Sequence, residues 1–152
     1  MLKPGDAVPK LKLQDDEGLP FEFASLKGKR VVLFFYPRAD TPGCTTEACE
    51  FRTAKEKFTV ADAVIVGISP NTGKEQAKFK NKFNLPFTLV ADHEHSAAAA
   101  FGVWGKKKFM GREYMGVNRT TFVIGTNGKI EHVFEKVKPE GHAEQVYSYL
   151  TS

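Results

Sequence analysis

Val31-Val32-Leu33-Phe34-Phe35-Tyr36-Pro37-Arg38-Ala39-Asp40-Thr41-Pro42-Gly43-Cys44-Thr45-Thr46-Glu47-Ala48-Cys49-Glu50-Phe51-Arg52 is the stretch that decides how this chain folds. Its apolar run, ended by a proline, has the pattern of a strand buried on both faces. Thr41 is a good N-cap and Pro42 a good first helical residue, and helical periodicity runs on from Thr45 to Phe58. Open α/β sheets are built from such strand-to-helix units and place their ligand sites at the carboxyl ends of the strands. Cys44 falls at that point, in the first helical turn, where amides lack intrahelical partners and the helix dipole favours a thiolate.

On the N-terminal side, Leu11 and Leu13 alternate across Lys12, and Phe21 and Phe23 across Glu22, with Asp15-Asp16-Glu17-Gly18 between them. This predicts a hairpin or a pair of short strands. On the C-terminal side the pattern predicts a buried strand over 63–68, an amphipathic helix over 72–83, a strand over 87–90 and an Ala-rich helix over 96–101. Three glycines and the run Lys106-Lys107-Lys108 make 104–116 a surface loop. Strands over 120–124 and 129–134 flank Thr126-Asn127-Gly128, a hairpin signal, and a helix closes the chain over 141–150. The expected fold class is therefore α/β with a mixed central sheet and an N-terminal β-hairpin, as one domain over 1–152. No glycine-rich phosphate loop follows any strand, which disfavours nucleotide binding.

Composition agrees with this reading. The chain has 152 residues, 41% apolar and 26% charged, and its 13 Phe supply core material, which argues against disorder, collagen-like repeats and coiled coil. A net charge of +4 favours anionic partners only mildly. The Lys106–Lys108 run reads as a solvated face, so no nucleic-acid partner is expected. No apolar run approaches the ~20 residues a membrane-spanning helix needs, and no secretory signal opens the sequence. The expected location is cytoplasmic with no membrane partner, a setting in which 2 cysteines serve chemistry more than stapling.

The spacing leaves two readings of Cys44 open. Cys44, Ala48, Phe51 and Phe58 share one helical face, so Cys44 is also placed as a small core residue. Ionisation alone gives limited reactivity. An unperturbed thiol is about 3% ionised at pH 7, so full ionisation multiplies the reactive form by only about thirty-fold. A catalytic Cys44 therefore needs donors around it, for which Thr41, the free amides and an arginine are available. Cys49 lies about 140° round the helix and about 8.7 Å away between Cα atoms, beyond the ~6.8 Å limit of a disulfide. The two thiols can join only if the first turns unwind; otherwise Cys49 is an unpaired surface thiol.

This segment resembles the peroxiredoxins, most closely the bacterioferritin comigratory protein or Q-type branch. The family pattern Pro-x-x-x-Thr-x-x-Cys is met by Pro37, Thr41 and Cys44, the branch wording Asp-Thr-Pro-Gly-Cys-Thr by Asp40 to Thr45, and its second cysteine by Cys49. Gly116-Val117-Asn118-Arg119-Thr120-Thr121-Phe122 looks like the segment carrying the family's catalytic arginine, which gives Arg119. Gly125 stands where the branch often has an acid, and Thr53 where it often has an aspartate.

The resemblance implies a thioredoxin-like fold and a thiol-dependent peroxidase that reduces hydrogen peroxide and organic hydroperoxides. Cys44 would form a sulfenic acid and Cys49 would resolve it as an intramolecular disulfide, recycled by thioredoxin or a similar dithiol. Thr41 and the amides of Gly43 and Cys44 would hold the peroxide, Arg119 would stabilise thiolate and departing charge, and Pro37 would shield the sulfenic acid; Glu47, three residues after Cys44 on nearly the same helix face, is placed either to orient Arg119 or to serve as a favourable charge near the helix start. Neither metal nor organic cofactor is implied, and the branch is often monomeric.

Other readings remain open at this level. A peroxide sensor could use the same cysteine pair. Cys44, Cys49, His93 and His95 together offer a zinc-type ligand set. A dithiol oxidoreductase would share the fold but wants Cys-x-x-Cys, which is absent. His132 and His142 carry no pattern.

Overall fold

A computed structural model describes residues 1–152. Its centre is a seven-stranded mixed sheet. In chain order the elements are β1 (Leu13–Asp15), β2 (Pro20–Phe21), a 3-10 turn (Phe23–Leu26), β3 (Arg30–Phe35), α1 (Pro42–Val60), β4 (Ala63–Ser69), α2 (Gly73–Phe83), β5 (Thr88–Ala91), α3 (Ser96–Phe101), β6 (Trp104–Phe109), β7 (Arg112–Val117), β8 (Thr120–Ile124), β9 (Ile130–Phe134) and α4 (His142–Thr151). The strand order is β2-β1-β5-β4-β3-β8-β9. β3, β4 and β5 run parallel, while β8 is antiparallel to β3, β9 to β8, and β1 to both β5 and β2.

β3 lies at the centre of two packed layers. Val32, Phe34 and Tyr36 point into one, beneath Ala48, Phe51 and Phe58 of α1, Phe79 of α2 and Val146 of α4. Val31, Leu33 and Phe35 point into the other, against Phe101 of α3, Phe122 of β8 and Phe23 of the 3-10 turn. The period-two division of one continuous apolar run explains why the strand reads without alternation. Cys44 belongs to the first layer, so its two sequence readings coincide: it is a core side chain placed at a helix start.

Two expectations are corrected. The stretch 104–116 is a two-stranded arm, β6 paired with β7 from Trp104↔Val117 to Phe109↔Arg112. Its turn is Met110-Gly111, with φ of 50° and 79°, the two positive angles that a two-residue hairpin requires. Most of the arm faces solvent, so polar and glycine residues replaced the apolar alternation that marks a half-buried strand. The N-terminal hairpin is also shorter than expected. Leu11 lies outside β1, and Phe23 turns into the 3-10 segment, where it packs edge-on against Phe21 at 5.2 Å and Phe101 at 5.6 Å.

Candidate active site

The site forms where β3 ends and α1 begins. Thr41 is the N-cap, with extended φ −99° and ψ 156°, and Pro42 occupies the first turn. The first intrahelical bond is donated by Thr45 to the Thr41 carbonyl at 2.8 Å. The amides of Gly43 and Cys44 make no bond within the chain, which leaves two free donors in the helical turn that carries Cys44. Thr41 does not cap them. Its hydroxyl donates to the Arg38 carbonyl at 2.8 Å, and its oxygen remains able to accept.

The loop that carries these residues is held from below. The Ala39 amide donates to Oδ1 of Asn71 at 2.9 Å. Asp40, in the left-handed region at φ 60°, pairs with Lys82 of α2 at 3.0 Å. Pro37 is half-buried between β3 and this loop. Fully buried Tyr36 donates from its hydroxyl to Gln76 at 2.6 Å, and burial pushes its phenol well above the ordinary value.

Arg119 enters from the segment between β7 and β8. Nη2 donates to Sγ of Cys44 at 3.4 Å, and Nη1 donates to Oε1 of Glu47 at 2.7 Å. Burial opposes the guanidinium charge, but the negative charges available at Cys44 and Glu47 outweigh it and hold Arg119 above its ordinary value. Glu47, one helical turn after Cys44, is fully buried, and its Oε2 has no partner. Burial raises its carboxyl to about 7, although Arg119 pulls it down. Gly43 makes room for the guanidinium: a Cβ there would lie 3.3 Å from Nη2 of Arg119 and 3.4 Å from Pro139.

Cys49 is half-exposed and free, and α1 runs through both cysteines without interruption. Thr41, Gly43, Cys44, Glu47 and Arg119 are thus brought together, Pro37 borders them, and Cys49 stands apart round the helix. The zinc-type set is not assembled: no three His, Cys, Asp or Glu side chains cluster as metal ligands. His95 instead stacks on Trp104 at 4.0 Å.

Three neighbours of the site escaped sequence reasoning. Lys107 is half-buried and donates to the Val117 carbonyl at 2.9 Å, two residues before Arg119. Burial and then Arg119 push its ammonium down, while Cys44 opposes them. The signal was its position in β6, opposite Tyr114 and on the face away from Lys106 and Lys108. Pro139 borders Gly43 from the loop before α4, which no local pattern foretells. His142 is buried between Thr121 at 2.7 Å and Gln145 at 2.9 Å. Burial first, and Arg119 last, hold it below the ordinary histidine value.

The arrangement is that of a buried nucleophile with one cationic donor at its sulfur and two free amides in its own helical turn, suited to an anionic leaving group. Residues 4–133 match the AhpC/TSA family. Peroxiredoxin Bcp of Bacillus subtilis is 47% identical over 146 residues, covering 96% of this chain and 93% of that protein. Peroxiredoxin Bcp of Escherichia coli is 41% identical over 149 residues, covering 98% and 96%. Among solved structures, peroxiredoxin Q of Xanthomonas campestris superposes with a TM-score of 0.91 at 32% identity, covering 97% and 96% of the two chains. No helix is long and apolar enough to cross a membrane. The buried cysteine, its arginine and the thioredoxin-like frame around them place this chain in the AhpC/TSA family, among the thiol-dependent peroxidases of the peroxiredoxin Bcp and Q type.

Proposed function

We propose that Cys44 is the peroxide-reducing thiol and Cys49 its resolving partner. The observation that carries this reading is the 3.4 Å contact of Arg119 with Sγ beside two unpartnered helix amides. A peroxide bound there donates a hydrogen bond from its O–H to the lone pair of Thr41 and receives hydrogen bonds from Gly43 and Cys44. The Cys44 thiolate attacks the terminal oxygen in line. The O–O bond breaks, its electron pair leaves with the second oxygen, and that oxygen takes up a proton as water or an alcohol. Arg119 stabilises the departing charge, Glu47 holds Arg119 in place, and Pro37 keeps water from the resulting sulfenic acid.

In the second step the Cys49 thiolate attacks the Cys44 sulfur and expels hydroxide, which is protonated to water, leaving an intramolecular disulfide. A dithiol protein of the thioredoxin kind then returns both thiols by exchange. The substrates are hydrogen peroxide and organic hydroperoxides; a Xanthomonas campestris bacterioferritin comigratory protein, 32% identical at a TM-score of 0.88, has alkyl peroxide reduction activity. No metal or organic cofactor takes part, and the protein acts as a cytoplasmic monomer.

Thioredoxin-coupled turnover of wild type, Cys44→Ser and Cys49→Ser, with mass analysis of the peroxide-treated proteins, tests this sequence of steps. The expected outcome is no turnover for Cys44→Ser, one equivalent of peroxide consumed by Cys49→Ser, and loss of two hydrogens with no added oxygen in wild type. Sustained turnover of Cys49→Ser with thioredoxin at the wild-type rate would remove Cys49 from the mechanism.

A further inference from the structure

A feature unexplained by the peroxidase site is a cleft of about 630 Å³ at the opposite end of the sheet. It opens at Val31, the second residue of β3, and Ile124, where β8 ends, about 16 Å along the strand from Tyr36 at the active end. The segment before β1 forms one wall, the 3-10 turn the other, and the β8–β9 turn closes one end. Its floor is the open margin of the second core layer: Val31, Ile124 and Phe23 are buried there, with Val8, Leu11 and Leu26 packed against them. Val8, Leu11 and Leu26 keep partly exposed apolar surface over it, and apolar side chains line small-molecule sites of similar size.

The rim has a different character. Lys10, Lys12, Lys27, Lys29 and Lys129 line it, against the single acid Glu22. None of the five is in an ion pair, and all are exposed. The Lys27 stem lies across the β8–β9 turn, 3.9 Å from where a Cβ of Gly128 would stand. Five like charges around a concave, low-dielectric floor focus a positive potential into it, while the floor gains by covering its apolar surface. A flat membrane cannot reach such a floor. A nucleic acid would want exposed aromatic faces, and the cleft's one aromatic ring, Phe23, is buried.

We propose that this cleft binds an amphiphilic monoanion, a free long-chain carboxylate whose aliphatic tail covers Val8, Leu11 and Leu26 above the buried floor while its head lies among the rim lysines. The apolar floor fixes the tail, and charge complementarity fixes the head.

The probe is dodecanoate, titrated below its micellar concentration into the reduced protein and followed by amide chemical shifts. Saturable shifts are expected over 7–12, 22–31 and 124–129, with 37–44 and 119 unmoved. The Lys27→Glu/Lys129→Glu variant should bind at least about tenfold more weakly, with circular dichroism and peroxide turnover unchanged. Lys10→Gln/Lys12→Gln should weaken binding in the same direction, and uncharged dodecanol should bind at least about tenfold more weakly than dodecanoate. Equal binding of dodecanol, affinity indifferent to charge reversal, or shifts centred on the Cys44 site would each overturn the proposal. So would binding of phosphatidylglycerol vesicles or an acidic peptide at these residues without any response to dodecanoate.

Discussion

Arg119 reaches across 75 positions of sequence to place Nη2 3.4 Å from Sγ of Cys44, and the same guanidinium holds Glu47 at 2.7 Å. One cation thus links the nucleophile to a buried carboxyl one helical turn along α1. The Arg119 backbone is fixed as well, since its carbonyl accepts from the Val137 amide at 3.2 Å.

Arg119→Met should slow oxidation of Cys44 by hydrogen peroxide about 10²- to 10³-fold, the range for removing one preorganised donor to a developing oxyanion. Arg119→Lys should recover only part of this, because an ammonium cannot face sulfur and carboxylate with separate nitrogens of one fixed plane. Single-turnover rates for the two variants, with circular dichroism to verify folding, check both statements.

Gly43→Ala tests the close approach directly. The added methyl meets Nη2 at 3.3 Å and Pro139 at 3.4 Å, so the guanidinium must give way by a few tenths of an ångström. Such displacements matter to a positioned donor, and we expect about a tenfold slower thiol oxidation with little change in melting temperature. A wild-type rate would mean that Arg119 shifts without consequence.

The buried carboxyl gives a pH prediction. Burial raises Glu47 to about 7 in the folded protein, from 4.5 when free. The unfolded chain therefore gives up this proton first as pH rises. The contribution is fully present below about 4.5, declines as pH climbs, and is lost above about 7. Between pH 4.5 and 8 wild type should lose about 3 kcal/mol of stability relative to Glu47→Gln, which has no such proton to release. Denaturant unfolding of both proteins across that window measures the difference; parallel curves would contradict it.

Disulfide formation should register as local unfolding. With about 8.7 Å between Cα atoms on an intact helix, joining Cys44 to Cys49 must break the first turns of α1, beginning with the Thr45 to Thr41 bond. Glu50 also accepts from the Gly141 amide at 2.8 Å and ties α1 to the start of α4. Hydrogen exchange should therefore show amides 45–50 losing protection on oxidation, and Gly141 with them, while β3 and β8 keep theirs. Protection unchanged through 45–50 in the oxidised protein would exclude the intramolecular bond.

Much of this was legible in the sequence where one local signal dominated. Val31–Tyr36, the Thr41-Pro42 helix start, α3 and β8 each carry a pattern that a single element satisfies. The β6–β7 arm was hidden because both its faces meet solvent along most of its length, so no apolar period remains, and its turn uses Met110 rather than Asn before Gly111. Lys107 was lost with it. Glu47 followed from its spacing to Cys44 on the helix, but Arg119 came from family resemblance, since its arrival depends on β8 lying beside β3, a pairing no local pattern encodes. The same is true of Pro139. Family and fold agree with the resemblance.

The central claim is that Cys44 is a nucleophile tuned for peroxide by the donors around it. Stopped-flow mixing of the reduced protein with hydrogen peroxide, monitored by loss of thiol in wild type and in Cys44→Ser, tests it most directly. The account predicts a second-order rate at least about a thousandfold above that of a free thiolate, more than ionisation alone can supply, and its complete absence in Cys44→Ser. A rate no greater than a free thiolate's, or fast loss of thiol that persists in Cys44→Ser, would contradict it.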